Sequence, residues 1–108
     1  MNGLDRLKAT DIAERVLHIY ERAYPGDARP RRAIDAARRV AKGEISDAER
    51  TAAYFDACSA ALDAKRESPE ASAAFAAAFC AEDCAEPSRA TEYSAKKAES
   101  KVAMEAEQ

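Results

Sequence analysis

Apolar residues return along most of this chain with the 3.6-residue period of a helix that turns one face to a core. From Leu4 to Tyr24 the stripe is Ile12, Val16, Ile19 and Tyr20. Gly3 and Thr10 are alternative starting points, so this segment is one bent helix or two pieces. Tyr24-Pro25-Gly26-Asp27 reads as a turn, because proline disfavours helix in the residue before it and glycine accepts positive φ. A second helix runs from Pro30 to Lys42 with Ala33, Ile34, Ala37, Val40 and Ala41 as its apolar stripe. Proline suits the first turn, where its missing N–H has no partner anyway, and Gly43 stands where a left-handed C-terminal cap is wanted.

Ser46-Asp47-Ala48-Glu49 has the form of a capping box and opens a third helix, about Asp47 to Arg66. Its apolar face reads as Ala48, Ala52, Phe55, Cys58 and Leu62. Ser68-Pro69-Glu70 starts a fourth helix, to about Cys84, that is alanine-rich on nearly every side and is therefore expected at the centre. Pro87 breaks the pattern. A fifth helix, about Ser88 to Glu105, shows a weak stripe of Ala90, Ala95, Ala98 and Val102 and is expected to fray at its end. No alternating period-2 segment occurs. The expected fold is all-α: one domain over residues 1–108, a compact bundle of about five short helices with no sheet.

Composition changes the picture of the core. Hydrophobic residues make up 47% of the chain, but 28 of them are alanine and only 14 are Leu, Ile, Val or Phe. A buried alanine gains little, since transfer free energy follows apolar area at about 25 cal/mol per Å². It allows close helix approach instead. So few bulky residues predict that the core consumes nearly all of them. Charge is uneven: residues 1–43 carry ten Lys or Arg against six acids, and residues 44–108 carry seven against fourteen. No run approaches the roughly 18 apolar residues of a membrane span, and Met1 to Ala9 lacks the apolar core of a secretory signal. A cytoplasmic protein with reduced thiols is expected.

Candidate chemistry is sparse. A zinc site would need Cys58, Cys80, Cys84 and the sole histidine, His18, as a tetrahedral Cys₃His set. Cys80 and Cys84, four apart, would share a helix face, but the paired C-x₂-C loops typical of structural zinc are missing, and small cysteines on alanine-rich helices pack as core. His18 has Glu14 and Glu21 at helical contact spacing and no nucleophile motif beside it. The glycines Gly3, Gly26 and Gly43 are isolated, so no phosphate-cradling loop forms. No metal, no cofactor and no enzyme activity are expected. Arg29, Arg31, Arg32, Arg38, Arg39 and Lys42 could meet nucleic acid phosphates, but the pI of 5.2 and the lack of interleaved aromatics argue against it. Glu82, Asp83 and Glu86 cluster at the break before the last helix and are the candidate partner-binding residues, suited to a basic protein surface.

Two stretches carry a resemblance. Ala13-Glu14-Arg15-Val16-Leu17-His18-Ile19-Tyr20-Glu21 is followed by Asp27-Ala28-Arg29-Pro30-Arg31-Arg32-Ala33-Ile34-Asp35-Ala36-Ala37-Arg38 and by Lys42-Gly43-Glu44-Ile45-Ser46. Together they resemble the immunity protein family of bacteria and their phages, whose members are small and helical. The similarity covers roughly residues 10–65 in motif and the remainder in composition. It implies a non-enzymatic protein that binds and inhibits another protein. The alternatives are a phage-encoded inhibitor of a host defence system, anti-CRISPR-like or otherwise, and a nucleic-acid-binding helical module. It brings no catalytic residue with it.

Overall fold

The computed structural model describes residues 3–107; Met1, Asn2 and Gln108 of the expected domain lie outside the described residues. Five helices follow one another: α1 (Gly3–Ala23), α2 (Arg29–Ala41), α3 (Asp47–Asp63), α4 (Pro69–Cys80) and α5 (Pro87–Ala106). No strand occurs among the described residues. The radius of gyration is 12.9 Å, matching the roughly 13 Å of a close-packed chain this long.

The helix boundaries follow from local chemistry. Gly43 adopts φ +75°, and the amides of Gly43 and Glu44 donate to the carbonyls of Val40 (3.0 Å) and Arg39 (2.8 Å), the two bonds of a Schellman motif. Ser46 accepts from the Glu49 amide at 3.1 Å while the Glu49 carboxylate accepts from the Ser46 amide at 3.2 Å, closing the capping box of α3. Ser68 accepts from the Ala71 amide at 3.1 Å and starts α4. At α2 the cap comes from two residues before the helix: Asp27 accepts from the Arg29 amide (3.0 Å) and from the Arg29 guanidinium, and takes the Tyr20 hydroxyl. α1 is one unbroken helix.

α4 packs against each of the other four helices, as an all-round apolar segment should. Among the described residues α3 touches only α2 and α4, and α5 only α1 and α4. The core is alanine from Ala9 to Ala98, with Val16, Leu17, Tyr20, Ile34 and Cys80 as its larger members. Helix axes therefore lie close, with methyl groups at the contacts.

Three expectations are corrected. α3 ends at Asp63, where Ala64 turns extended, and α4 ends at Cys80, so Cys84 lies in the following turn and shares no helix face with Cys80. The face of α3 carrying Ala48, Ala52, Phe55 and Leu62 points outward; the inward face is Arg50, Ala57, Ala60 and Ala61. Alanine populates both sides of this helix, so hydrophobicity alone could not choose, and the choice follows Arg50, which must reach α4. Nor does the core take nearly all the bulky residues: Phe55 is 61% and Leu62 75% exposed, while Phe75 and Phe79 stack at 5.7 Å, both only partly covered.

Candidate partner-binding surface

The turn between α4 and α5 is built from below by two arginines. A helix end leaves its last carbonyls without partners and carries partial negative charge. Arg6 of α1, 1% exposed, donates to the carbonyls of Cys80 (2.8 Å) and Glu82 (3.0 Å). Arg50 of α3, 3% exposed, donates to the carbonyl of Ala81 (2.6 Å) and to the Thr51 hydroxyl (2.9 Å), and pairs with Asp47 at 2.8 Å. A buried cation costs several kcal/mol unless it is hydrogen-bonded and compensated, and these donors meet that condition. Asp5, next to Arg6, turns the other way. It accepts from the Ser88 amide (3.0 Å) and hydroxyl (2.6 Å), supplying the start of α5 with the cap that Glu86 does not. The Ser88 hydroxyl, with the amide behind it, holds the Asp5 carboxyl below its ordinary range.

On this turn stand the three predicted acids. Asp83 and Glu86 are exposed and Glu82 is half-buried. Glu86 forms an exposed pair with Arg89 at 3.6 Å, and Asp83 lies close enough to Arg50 to favour its charge. Glu82 adjoins Tyr54 and Cys58 of α3 and Cys84 of the turn, and its charge disfavours ionisation of all three. Tyr54 is pushed up to about 12, chiefly by burial and then by its hydrogen bond with Cys58. The acid cluster thus joins the outer side of α3 through Tyr54, which meets Phe55 edge-on at 5.2 Å.

That outer side was not expected to be a surface. Ala48, Ala52, Phe55, Ser59 and Leu62 are all exposed on it, and so are Glu49, Asp56 and Asp63. At its C-terminal end this side meets α2, through the pair of Asp63 with Arg29 at 3.1 Å, and borders Phe75 of α4 across a shallow groove beside Leu62.

The remaining candidates scatter. Cys80 is fully buried, its Sγ donating to the Ala77 carbonyl at 2.9 Å, and burial pushes it up to about 12. His18 is exposed beside Ile19, Arg22 and Glu70, and its two expected acids are engaged elsewhere, Glu14 with Arg38 at 2.6 Å and Glu21 with Arg31 at 2.7 Å. Among the described residues no three His, Cys, Asp or Glu side chains are placed to share a metal ion. The basic run of α2 is largely paired as well. Arg29 binds Asp27 (2.7 Å) and Asp63 (3.1 Å), and Arg39 reaches Glu44 at 3.8 Å. Arg38 is held by Glu14 and by Asp11 at 3.5 Å. Among the described residues no helix is long and apolar enough to cross a membrane.

A family model described as "Imm-5 like putative immunity protein" matches residues 8–98, from the second turn of α1 to the middle of α5. The matched span includes Glu82, Asp83 and Glu86 and the whole of α3. No curated protein and no solved structure matches the chain.

Proposed function

This chain belongs to the Imm-5 like immunity protein family, and from that premise we propose that it acts without catalysis, in the cytoplasm, by binding another protein and blocking it. The observation that carries the reading is the family match across all five helices. The partner proposed is one with a basic surface, met by Glu82, Asp83 and Glu86. In support, those acids project from a turn whose backbone is pinned at both helix ends, so they are presented with little conformational freedom to lose on binding. Charge of this kind speeds encounter with an oppositely charged partner and loses effect as salt rises.

The test is co-expression with a toxin domain encoded beside the gene. Restored growth supports an immunity role. Where the neighbouring genes are those of a phage, the matching assay is protection of the phage from a host defence system, which supports the alternative instead. Association kinetics across ionic strength then read the role of the acids. Reversal of all three to lysine is expected to slow association at low salt at least tenfold. An on-rate that ignores both salt and charge reversal removes the acids from the proposal.

A further inference from the structure

We propose that the outer face of α3 is a docking seam for a basic amphipathic helix of the partner protein. This rests on the preceding reading only in requiring that the partner be a protein. Ala48, Ala52, Phe55, Ser59 and Leu62 follow one another at steps of four, three, four and three residues, the repeat with which one helix meets another along a single seam. In α3 this seam faces solvent, because the helix already satisfies the bundle through Arg50, Ala57, Ala60 and Ala61 on its opposite side. Ala48, Ala52 and Ser59 are small enough for an incoming helix axis to approach to about 8 Å. Phe55 and Leu62, at 61% and 75% exposure, are bulky anchors between them. A groove of about 380 Å³ bordered by Leu62, Ala64, Ala71 and Phe75, with Arg66 and Glu67 at its edge, continues the seam onto α4.

Charge selects the occupant. Glu49, Asp56 and Asp63 fall at seven-residue intervals along one flank of the seam, and Asp47 precedes them. The one cation of α3, Arg50, is turned inward. Arg29 reaches Asp63 at 3.1 Å, yet that carboxylate stays 70% exposed. A second copy of this chain is a poor occupant: two α3 helices packed antiparallel about a two-fold axis would set acid flank against acid flank. A helix with an apolar stripe flanked by Lys or Arg meets both the seam and its edge, as helices do in apolar grooves generally.

The direct test uses the full-length protein and two stapled synthetic helices of the same leucine and alanine seam, one flanked by lysine and one by glutamate. Fluorescence anisotropy is expected to show the lysine helix binding at least tenfold more tightly. Phe55→Ser and Leu62→Ser, both at exposed positions, should each weaken it at least tenfold with unchanged helical circular dichroism, and Asp56→Lys should narrow the gap between the two peptides. Tyr93→Ser is the control; it removes an exposed aromatic from α5, which does not touch α3. Equal binding of both peptides, or indifference to Phe55→Ser and Leu62→Ser, overturns the proposal. A free protein that sediments as a dimer and becomes monomeric on Phe55→Ser also overturns it, by assigning the seam to self-association. The growth assay separates this failure from that of the immunity reading: rescue by the wild type and equally by both serine variants refutes the seam alone. Absence of rescue by the wild type refutes immunity and leaves the peptides to decide the seam.

Discussion

Arg6 and Arg50, from helices that do not touch each other, close on consecutive carbonyls at the end of α4, Cys80 at 2.8 Å and Ala81 at 2.6 Å. Removing either guanidinium takes the side-chain donor from one buried carbonyl, that of Cys80 or that of Ala81. Arg6→Met and Arg50→Met should each cost about 2 to 3 kcal/mol. In a domain this small that lowers Tm by on the order of 10 °C. Arg38→Ala breaks a pair that is only partly covered and should cost about 1 kcal/mol or less. Urea or thermal denaturation of the three variants checks the ranking. A loss at Arg38 equal to that at Arg6 would contradict the account of the helix end.

The two serine caps differ in burial, and the difference should be measurable. Ser46→Ala opens an exposed capping box and should cost about 1 kcal/mol. Ser68 is 9% exposed, so its alanine variant strands an Ala71 amide with less access to water and should cost somewhat more, up to about 2 kcal/mol. Paired melts at one pH test the order, which the structure does not permit to reverse.

Acid should unfold the protein through a small set of carboxylates. Arg29, with Tyr20, holds Asp27 far below its ordinary range, while Ser88 lowers Asp5, Arg38 lowers Glu14 and Arg31 lowers Glu21. A carboxyl depressed by folding contributes stability above its unfolded pKa, near 4, and that contribution is lost as pH falls through the folded value. Tm should thus stay level down to about pH 5 and fall below about pH 4. Asp27→Asn should be less stable at neutral pH and show the shallowest decline in acid. A Tm that declines steadily from neutral pH would point to other groups.

The three thiols should separate by reactivity. Cys58 and Cys84 are half-buried, and burial raises both above the ordinary thiol range; Cys80 has no exposure at all. The thiolate is the reactive form. A disulfide reagent at about pH 8 should therefore label Cys58 and Cys84 slowly and Cys80 only once denaturant is added. Rapid labelling of all three would mean that α4 opens readily.

The helices were legible because their ends are written in residues with one strong preference. Pro30, Gly43, Ser46 with Glu49, and Ser68 with Pro69 each mark a boundary that the structure keeps to within a residue. The outer face of α3 was not legible, for a physical reason: with alanine on both sides, the apolar period describes two faces and names neither. The acids at the α4–α5 turn could be read as a cluster, but not the arginines beneath them. Yet a signal existed. Arg6 falls in register with Ala9, Ala13, Val16 and Tyr20, and Arg50 with Ala57, Ala61 and Ala64, so each is a cation in line with the buried side of its helix. A charge in an otherwise apolar stripe marks a helix end to be met elsewhere in the chain.

A core of methyl groups has one more effect. Where alanine faces alanine few knobs catch in holes, so such contacts resist sliding and rolling less than those around Leu17, Tyr20 and Ile34. Here the alignment of the helices is instead locked at the rim, where Asp5 and Arg6 grip the two sides of one turn and Tyr20 ties α1 to the start of α2. Loosening those few polar clasps would leave a bundle with its helices intact and their mutual register lost.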